Sequence, residues 1–518
     1  MSERRVRRRK PRLKFDKQMY KKLGILFWIV VLALFALCTR IAYLNVAKGD
    51  NYSIKVLEQQ SFTSKTIPYK RGDIKDRNGN VLATSVMVYN LIIDSKVVMS
   101  NEKYLTPTVN ALVKYFDFNE DKIVSMAKTA KELGIELFVL DDGWFGNRNN
   151  DHQGLGDWFP NLDKLPHGIN GLSKRIHDLG LKFGLWFEPE MVNEDSNLYR
   201  NHPEWILKTP HRKSCHGRNQ YILDFSNPEV INYIAQAMMN VIDDSYISYI
   251  KWDMNRCMSE VYSSTHDVSS QGRVMHEYIL GVYHLYEVLT NKYPDILFES
   301  CASGGARFDP GMLYYAPQGW VSDDSDAVER LKIQYGTSMC YPLSSMGSHV
   351  SVIPNHQVFR NTPLHTRANV AYFGTFGYEL DLNKLSDAEI EEVKAQIRFM
   401  KEYRELLQFG TFYRLKSPFN GNETVWMVVS EDKSKALVGY YRVLNGVNLP
   451  YSCVKLQGLD PDKLYENELA NTEHYGDELM NLGLITTDVS AGEVPQGAEP
   501  CTDFESRIYL LKEKQSTN

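Results

Sequence analysis

Two aspartates offer this sequence its most direct chemistry. Asp253 ends the run YISYIKWD, and Asp323 opens the cluster Ser322-Asp323-Asp324-Ser325-Asp326. Both follow short apolar stretches, so each sits where a buried strand gives way to a loop. Carboxylates facing each other across a pocket are what glycoside hydrolysis uses: one acts on the anomeric carbon, the other exchanges a proton with the leaving oxygen. A strand-end aspartate also serves to cap a following helix, and for either residue alone that reading stands equally well. The neighbours tip the balance. Tandem Asp141-Asp142 follows IELFVL, Glu188-Pro189-Glu190 follows LKFGLWF, and Cys301 follows ILFES, so carboxylates, tryptophans and a lysine converge from several strand ends. Asp141 and Asp142 suit hydrogen bonds from two adjacent sugar hydroxyls, with a solvated loop as the alternative. Lys251 and Asn255 flank Asp253 with donors to offer, although Lys251 also suits an ion pair with a carboxylate. Trp186 suits an apolar wall or core, Arg218 in CHGRNQY a surface charge, and the free thiol of Cys301 core.

These side chains act together only if the strands lie side by side. From Asn119 the chain alternates helical and extended patterns. A helix from Glu120 to Leu133, with Asn119 as N-cap and Gly134 as stop, leads into IELFVL. Helices from Gly171 to Leu179, Pro228 to Ile242 and Val274 to Asn291 lead into LKFGLWF, YISYIKW and ILFES, while YILDF, GWVS and LSSMGSHV add further extended pieces. Short buried strands alternating with helices predict a parallel sheet, and polar, reactive strand ends predict a (β/α)8 TIM barrel, an α/β fold. The expected strands start at Ile135, Lys182, Tyr221, Tyr246, Ile296, Gly319 and Leu343. Closure needs one more, which has to come from residues 105–118. Beyond Tyr403, ETVWMVVSE, KALVGYYRVL and RIYLLKE predict a C-terminal antiparallel β-sandwich. The expected domains are a barrel at 115–408 and the sandwich at 409–518.

The motifs LDDGWFG (140–146), LGDWFPN (155–161), GLWFEPEMV (184–192), YIKWDMNR (249–256), FESCASGG (298–305) and SDDSDAVERLKIQYGTS (322–338) are long and colinear. Through them the chain, from about Tyr115 to its end, resembles the α-galactosidases of glycoside hydrolase family 36. The resemblance implies a retaining enzyme that removes terminal α-galactosyl residues from sugars such as melibiose and raffinose by double displacement. It implies Asp253 as nucleophile and Asp323 as acid/base, with Asp324 as the alternative acid/base. It further implies that Asp141 and Asp142 hold the 4-OH and 6-OH, that Arg218 belongs to the sugar site, and that Cys301 and Gly304 pass close to the 2-OH, where glycine permits close backbone approach. Trp186, Lys251 and Asn255 complete the expected substrate-binding set. No metal or nucleotide motif accompanies these residues, so no metal or cofactor is expected. Family members usually carry a β-sandwich domain and the first barrel strand ahead of this region.

Upstream, the composition changes. The whole chain has a formal net charge of −5, which argues against a nucleic-acid partner, yet residues 1–22 are crowded with arginine and lysine against only Glu3 and Asp16. The apolar run 23–47 then reads as a single membrane span, with the basic tail in the cytoplasm and the barrel outside. Arg71-Gly72-Asp73-Ile74-Lys75-Asp76-Arg77-Asn78-Gly79-Asn80-Val81-Leu82-Ala83 resembles the N-terminal part of a class B penicillin-binding protein, implying a stalk segment at 48–114; Asn78-Gly79 predicts a hairpin turn. Ser-x-x-Lys occurs three times, but no Lys-[Ser/Thr]-Gly follows, so transpeptidase chemistry is not expected. The seven cysteines show no Cys-x-x-Cys pair and no disulfide framework. The expected partners are therefore an α-galactoside and a membrane, with room for a homo-oligomer; without a working anchor, the family resemblance implies a cytoplasmic enzyme. The alternatives are an anchored cell-wall or division protein with an inert barrel, and a non-functional fusion of two genes.

Overall fold

The computed structural model describes residues 119–446, 452–486 and 502–514 with short stretches of the first 118, and the chain divides into two compact units, 1–109 and 110–518. In the first unit, β1 (Ile74–Lys75) and β2 (Val81–Ala83) pair antiparallel, with Ile74 opposite Ala83, as the hairpin expectation requires. Residues 24–29 are helical, with Ile25, Phe27 and Trp28 exposed. Among the described residues no helix is long and apolar enough to cross a membrane. Much of the expected span at 23–47 and most of the stalk at 48–114 lie outside the described residues.

The second unit begins with α1 (Glu120–Leu133). The Asn119 side chain accepts the Lys122 N–H at 3.1 Å, and Gly134 ends the helix at a φ of +97°. Its buried Ile123, Val124, Ala127 and Ala130 recur at helical spacing on one face. There follow β3 (Leu137–Leu140), α2 (Gly168–Asp178), β4 (Lys182–Phe187), β5 (Met191–Val192), α3 (Asn197–Asn201), β6 (Tyr221–Ile222), α4 (Pro228–Ile242), β7 (Ile247–Trp252) and α5 (Val274–Lys292). Next come β8 (Leu297–Ser300), α6 (Pro310–Tyr315), β9 (Gln318–Trp320), α7 (Ala327–Thr337), β10 (Met346–Ser351), α8 (Leu364–Ala371), β11 (Thr375–Glu379) and α9 (Asp387–Phe409). Seven of these strands form one parallel sheet in the order β11-β10-β9-β8-β7-β4-β3.

Two expectations need correction. The strand expected from Tyr221 is not in this sheet: β6 pairs antiparallel with β5, Met191 opposite Ile222, in a separate ribbon. A parallel place beside β4 requires a crossover that returns the chain to the same end of the sheet, and the five-residue α3 does not supply one. The count of seven is made up by β11, which pairs with β10 at the far edge of the sheet; its TFGYE lacks a continuous apolar run and is not among the expected strands. The strand expected from Leu343 starts later, because residues 343–345 form a 3-10 turn before β10. β3 and β11 are the outer strands of the described sheet, and the completing strand expected at 105–118 lies outside the described residues. Helix α9 packs beside α1 nonetheless: Lys401 Nζ donates to Gly134 O at 2.6 Å, Arg404 pairs with Glu136, and Leu133, Ile397 and Met400 share one core.

The C-terminal sheet shows strand periodicity directly. β12 (Thr411–Lys416), β13 (Glu423–Val429), β14 (Lys435–Arg442), β15 (Cys453–Val454), β16 (Leu464–Asn467), β17 (Thr472–Tyr475), α10 (Gly476–Asn481), β18 (Leu484–Ile485) and β19 (Glu505–Glu513) follow α9. Six of the strands make an antiparallel sheet ordered β12-β13-β14-β19-β16-β17, with β15 and β18 paired apart. Along β13, Trp426 and Val428 enter the core shared with α8 and α9, while Val425, Met427 and Val429 enter a second core with Val454, Leu456 and Leu479. Both faces of this strand are thus buried, which is why ETVWMVV is apolar without interruption.

Candidate active site

Alternation and register decide which side chains meet. In β7, Tyr249 and Lys251, and then Asp253, fall on one face; Trp252 falls on the other, stacked on Tyr286 of α5 with ring centroids 3.9 Å apart. Parallel pairing sets Leu140 beside Leu185, Trp186 beside Lys251, and Trp252 beside Ser300. The strands therefore run out at one level, and Asp141, Glu188, Asp253 and Cys301 gather at their C-terminal ends. The ladder extends one residue further: the Asp253 N–H donates to Phe187 O at 2.8 Å and the Cys301 N–H to Trp252 O at 2.7 Å. Gly184 lets the strands close, since a Cβ there would stand 2.9 Å from Val139 and 3.1 Å from Tyr249.

Asp253 is only 7% exposed. Its Oδ2 accepts from Asn255 Nδ2 at 2.6 Å and from Trp186 Nε1 at 3.3 Å, and its Oδ1 from the Met254 N–H at 2.8 Å. Burial, then the charge of nearby Asp253, push the Cys301 thiol far above its ordinary pKa and keep it neutral. Asn255 is itself held, its Oδ1 accepting from Arg218 Nη1 at 2.6 Å and Ser303 Oγ at 3.2 Å. Arg218 is thus exposed yet tied into the cluster, at a φ of +50°. Trp186 is 2% exposed and packs against Phe145 and Trp158, so it gives the site an N–H and an edge rather than a broad wall.

Asp141 and Asp142 remain exposed, each with a cationic partner. Lys251 Nζ reaches Asp141 Oδ2 at 2.9 Å across the end of β4. Burial disfavours the lysine charge, but Asp141 and Glu299 outweigh it and hold its pKa well above normal; Lys251 correspondingly lowers the pKa of Asp141. Arg148, which the sequence did not single out, holds Asp142 through Nε at 3.0 Å and Nη2 at 2.7 Å, and donates to Asn193 Oδ1 at 3.1 Å. Both carboxylates keep oxygen lone pairs toward solvent, as sugar recognition needs.

Asp323 stands beyond the end of β9. Its Oδ1 accepts from Trp320 Nε1 at 3.1 Å, and the indole packs between Arg330 and His349. Partial burial, then the Asp253 charge, raise its pKa, which indicates that the two aspartates sense each other. Asp324 is used locally instead, its Oδ1 accepting the Asp326 N–H at 3.1 Å just ahead of α7. Gly304, at a φ of +85°, has a structural reason to lack a side chain: its Cβ would lie 2.8 Å from both Asp323 N and Ser322 Cα. The loop after β8 therefore lies directly against the backbone that carries Asp323.

Behind the site, Glu190 is fully buried and paired with Arg307 through two contacts of 2.8 Å, while accepting from Trp252 Nε1 at 2.8 Å and Tyr278 at 2.6 Å. Arg307→Leu removes the only ion pair of this carboxylate among the described residues and is expected to cost about 3–5 kcal/mol, the penalty for an uncompensated buried charge. A thermal-unfolding midpoint equal to wild type would exclude that magnitude. Among the described residues no group of three or more His, Cys, Asp or Glu side chains is placed to hold a metal ion.

A parallel α/β sheet with carboxylates at the C-terminal ends of its strands is the arrangement that barrel glycosidases use. The chain belongs to the melibiase family, whose model matches residues 84–410; the glycosyl hydrolase family 36 C-terminal domain matches residues 423–511. It is 56% identical over 401 residues to alpha-galactosidase AgaA of Geobacillus stearothermophilus, covering 77% of this chain and 53% of that one. It is 50% identical over 398 residues to alpha-galactosidase Mel36A of Lactobacillus acidophilus, covering 77% and 53%. Among solved structures, an AgaA variant in complex with raffinose is similar with a TM-score of 0.74 at 52% identity, covering 77% of this chain and 54% of that one. The chain thus spans about half the length of the curated relatives it matches.

Proposed function

We propose that this chain is a retaining α-galactosidase that hydrolyses terminal α-galactosyl residues of oligosaccharides such as melibiose and raffinose. The observation that carries the reading is the contrast between its two carboxylates: Asp253 is buried and accepts from Asn255 Nδ2 and the Met254 N–H, while the raised pKa of Asp323 favours the protonated form. A family relative crystallised with raffinose supports the same substrate class. In the first step an Asp253 oxygen bonds to the anomeric carbon as the bond from that carbon to the leaving oxygen breaks, and the Asp323 proton passes to that oxygen. In the second, Asp323 takes a proton from water, the water oxygen bonds to the anomeric carbon, and Asp253 leaves. Asp141 and Asp142 accept from the sugar hydroxyls, and Lys251 and Arg218 donate. A cleft of about 720 Å³ beside the Arg218 loop, lined by Tyr199, Lys208, Arg212, His216 and Asn219, has room for the remainder of an oligosaccharide. Purified full-length protein is expected to release nitrophenol from p-nitrophenyl α-galactoside. A folded protein with no turnover would refute the reading.

The exposed helical residues of the first unit favour a second element of this reading. Ile25, Phe27, Trp28, Leu32 and Phe35 are each more than half exposed, an uncovered apolar surface that suits lipid. The reading places the basic tail in the cytoplasm and the catalytic unit outside. Protease added to intact spheroplasts is expected to digest the catalytic unit; complete protection would rule this topology out.

A further inference from the structure

Glu188 follows β4 on the same face as Trp186 and is fully buried. Its Oε1 accepts the Asn255 N–H and its Oε2 accepts from Gln220 Nε2 at 3.2 Å. Both donors are amides. Glu190, two residues along and equally buried, is neutralised by Arg307. Among the described residues, the charges that weigh most on Glu188 are Asp253, which repels its anion, and Arg148, which attracts it but is already committed to Asp142 and Asn193. An anion held by amides in a dry site beside a second carboxylate is costly, and a proton removes that cost. Gln220 points the same way. Its buried Oε1 has no hydrogen-bond partner, so no second bond orients the amide; turned over, that oxygen accepts a hydrogen bond from the O–H of a protonated Glu188.

We propose that Glu188 is a positioning residue that works as a neutral carboxylic acid, clamping Asn255 and Gln220 so that Asn255 orients the Asp253 carboxylate. Asn255 is the link: its N–H bonds Glu188 while its Nδ2 bonds Asp253. Burial first, and the Asp253 charge second, push the Glu188 pKa up to about 8, so the acid is mostly protonated at neutral pH. Above that pH two anions share the pocket, their repulsion opens the clamp, and turnover falls. For its kinetic readout alone, the inference rests on the α-galactosidase reading.

The test uses full-length protein and 2,4-dinitrophenyl α-galactoside, whose leaving group departs without a proton, so ionisation of Asp323 does not shape cleavage. Glu188→Gln mimics the neutral acid. Its kcat at neutral pH is expected within about threefold of wild type, with the alkaline decline near pH 8 moved up by about a unit or more. Identical alkaline limbs in the two proteins would overturn the proposal. Infrared difference spectra of wild type against Glu188→Gln read the proton without turnover: a protonated-carboxyl band is expected at neutral pH, fading as pH rises through about 8. Absence of that band overturns the proposal whether or not the protein is active. An inactive wild type that shows the band overturns the α-galactosidase reading and supports the protonation state.

Discussion

Asp253→Ala is expected to lower kcat/KM on aryl α-galactosides by on the order of 10⁵-fold or more, as loss of a covalent nucleophile does. Added azide should restore part of the turnover, because the deleted carboxylate leaves a small space beside donors that suit an anion. Those donors are Asn255 Nδ2, Trp186 Nε1 and the Met254 N–H. Azide entering there attacks the face that Asp253 would attack, so the product is the inverted β-galactosyl azide. An α-configured azide would remove Asp253 from the nucleophile role. A thermal-unfolding midpoint near that of wild type separates lost chemistry from lost folding, a needed control because the substitution leaves several buried donors unpaired.

Asp323→Ala should separate substrates by leaving group. On raffinose, where the departing sugar oxygen needs a proton, a loss of about 10²–10⁴-fold is expected, the usual worth of a general acid. With 2,4-dinitrophenyl α-galactoside the first step should suffer far less, and azide should give the retained α-galactosyl azide. The pH dependence follows from the sign of the shift. Asp323 has a raised pKa, so the protonated, working acid persists to higher pH than in an ordinary aspartate. Activity on raffinose is therefore expected below that raised pKa and should be lost as pH rises through it. Asp323→Ala should erase this limb. If Asp324→Ala does so instead, the acid/base assignment moves to Asp324, against its local bond to the Asp326 N–H.

The architecture was legible wherever local and tertiary forces agree. Asn119 and Gly134 bracket α1, and Pro228 opens α4, because caps and breakers act within one turn. YISYIKW was readable as β7 because a short apolar run between two helical segments is a local property of the chain. YILDF was misplaced, and TFGYE was not among the expected strands, because strand membership is decided by partners. An apolar run is satisfied equally by a two-stranded ribbon, and a segment without a long apolar run becomes a strand where a neighbour pairs with it. Arg148 carried no signal because Asp142 binds it through a loop closure that spacing alone does not show.

The order of residue types along the chain determined the class of chemistry: which strands end in carboxylates, and that Asp253 and Asp323 each close an apolar run. Tertiary structure decided the rest. Parallel register brought Glu188, Asp253 and Cys301 to one level, and the loop after β8 packed Gly304 against Asp323. Burial then gave the carboxylates different characters: Glu190 received an arginine, Glu188 only amides, and Asp323 a raised pKa. The physical reason is that a side chain's identity is local, whereas its charge state depends on the groups that remove water from it, and these come from distant parts of the chain.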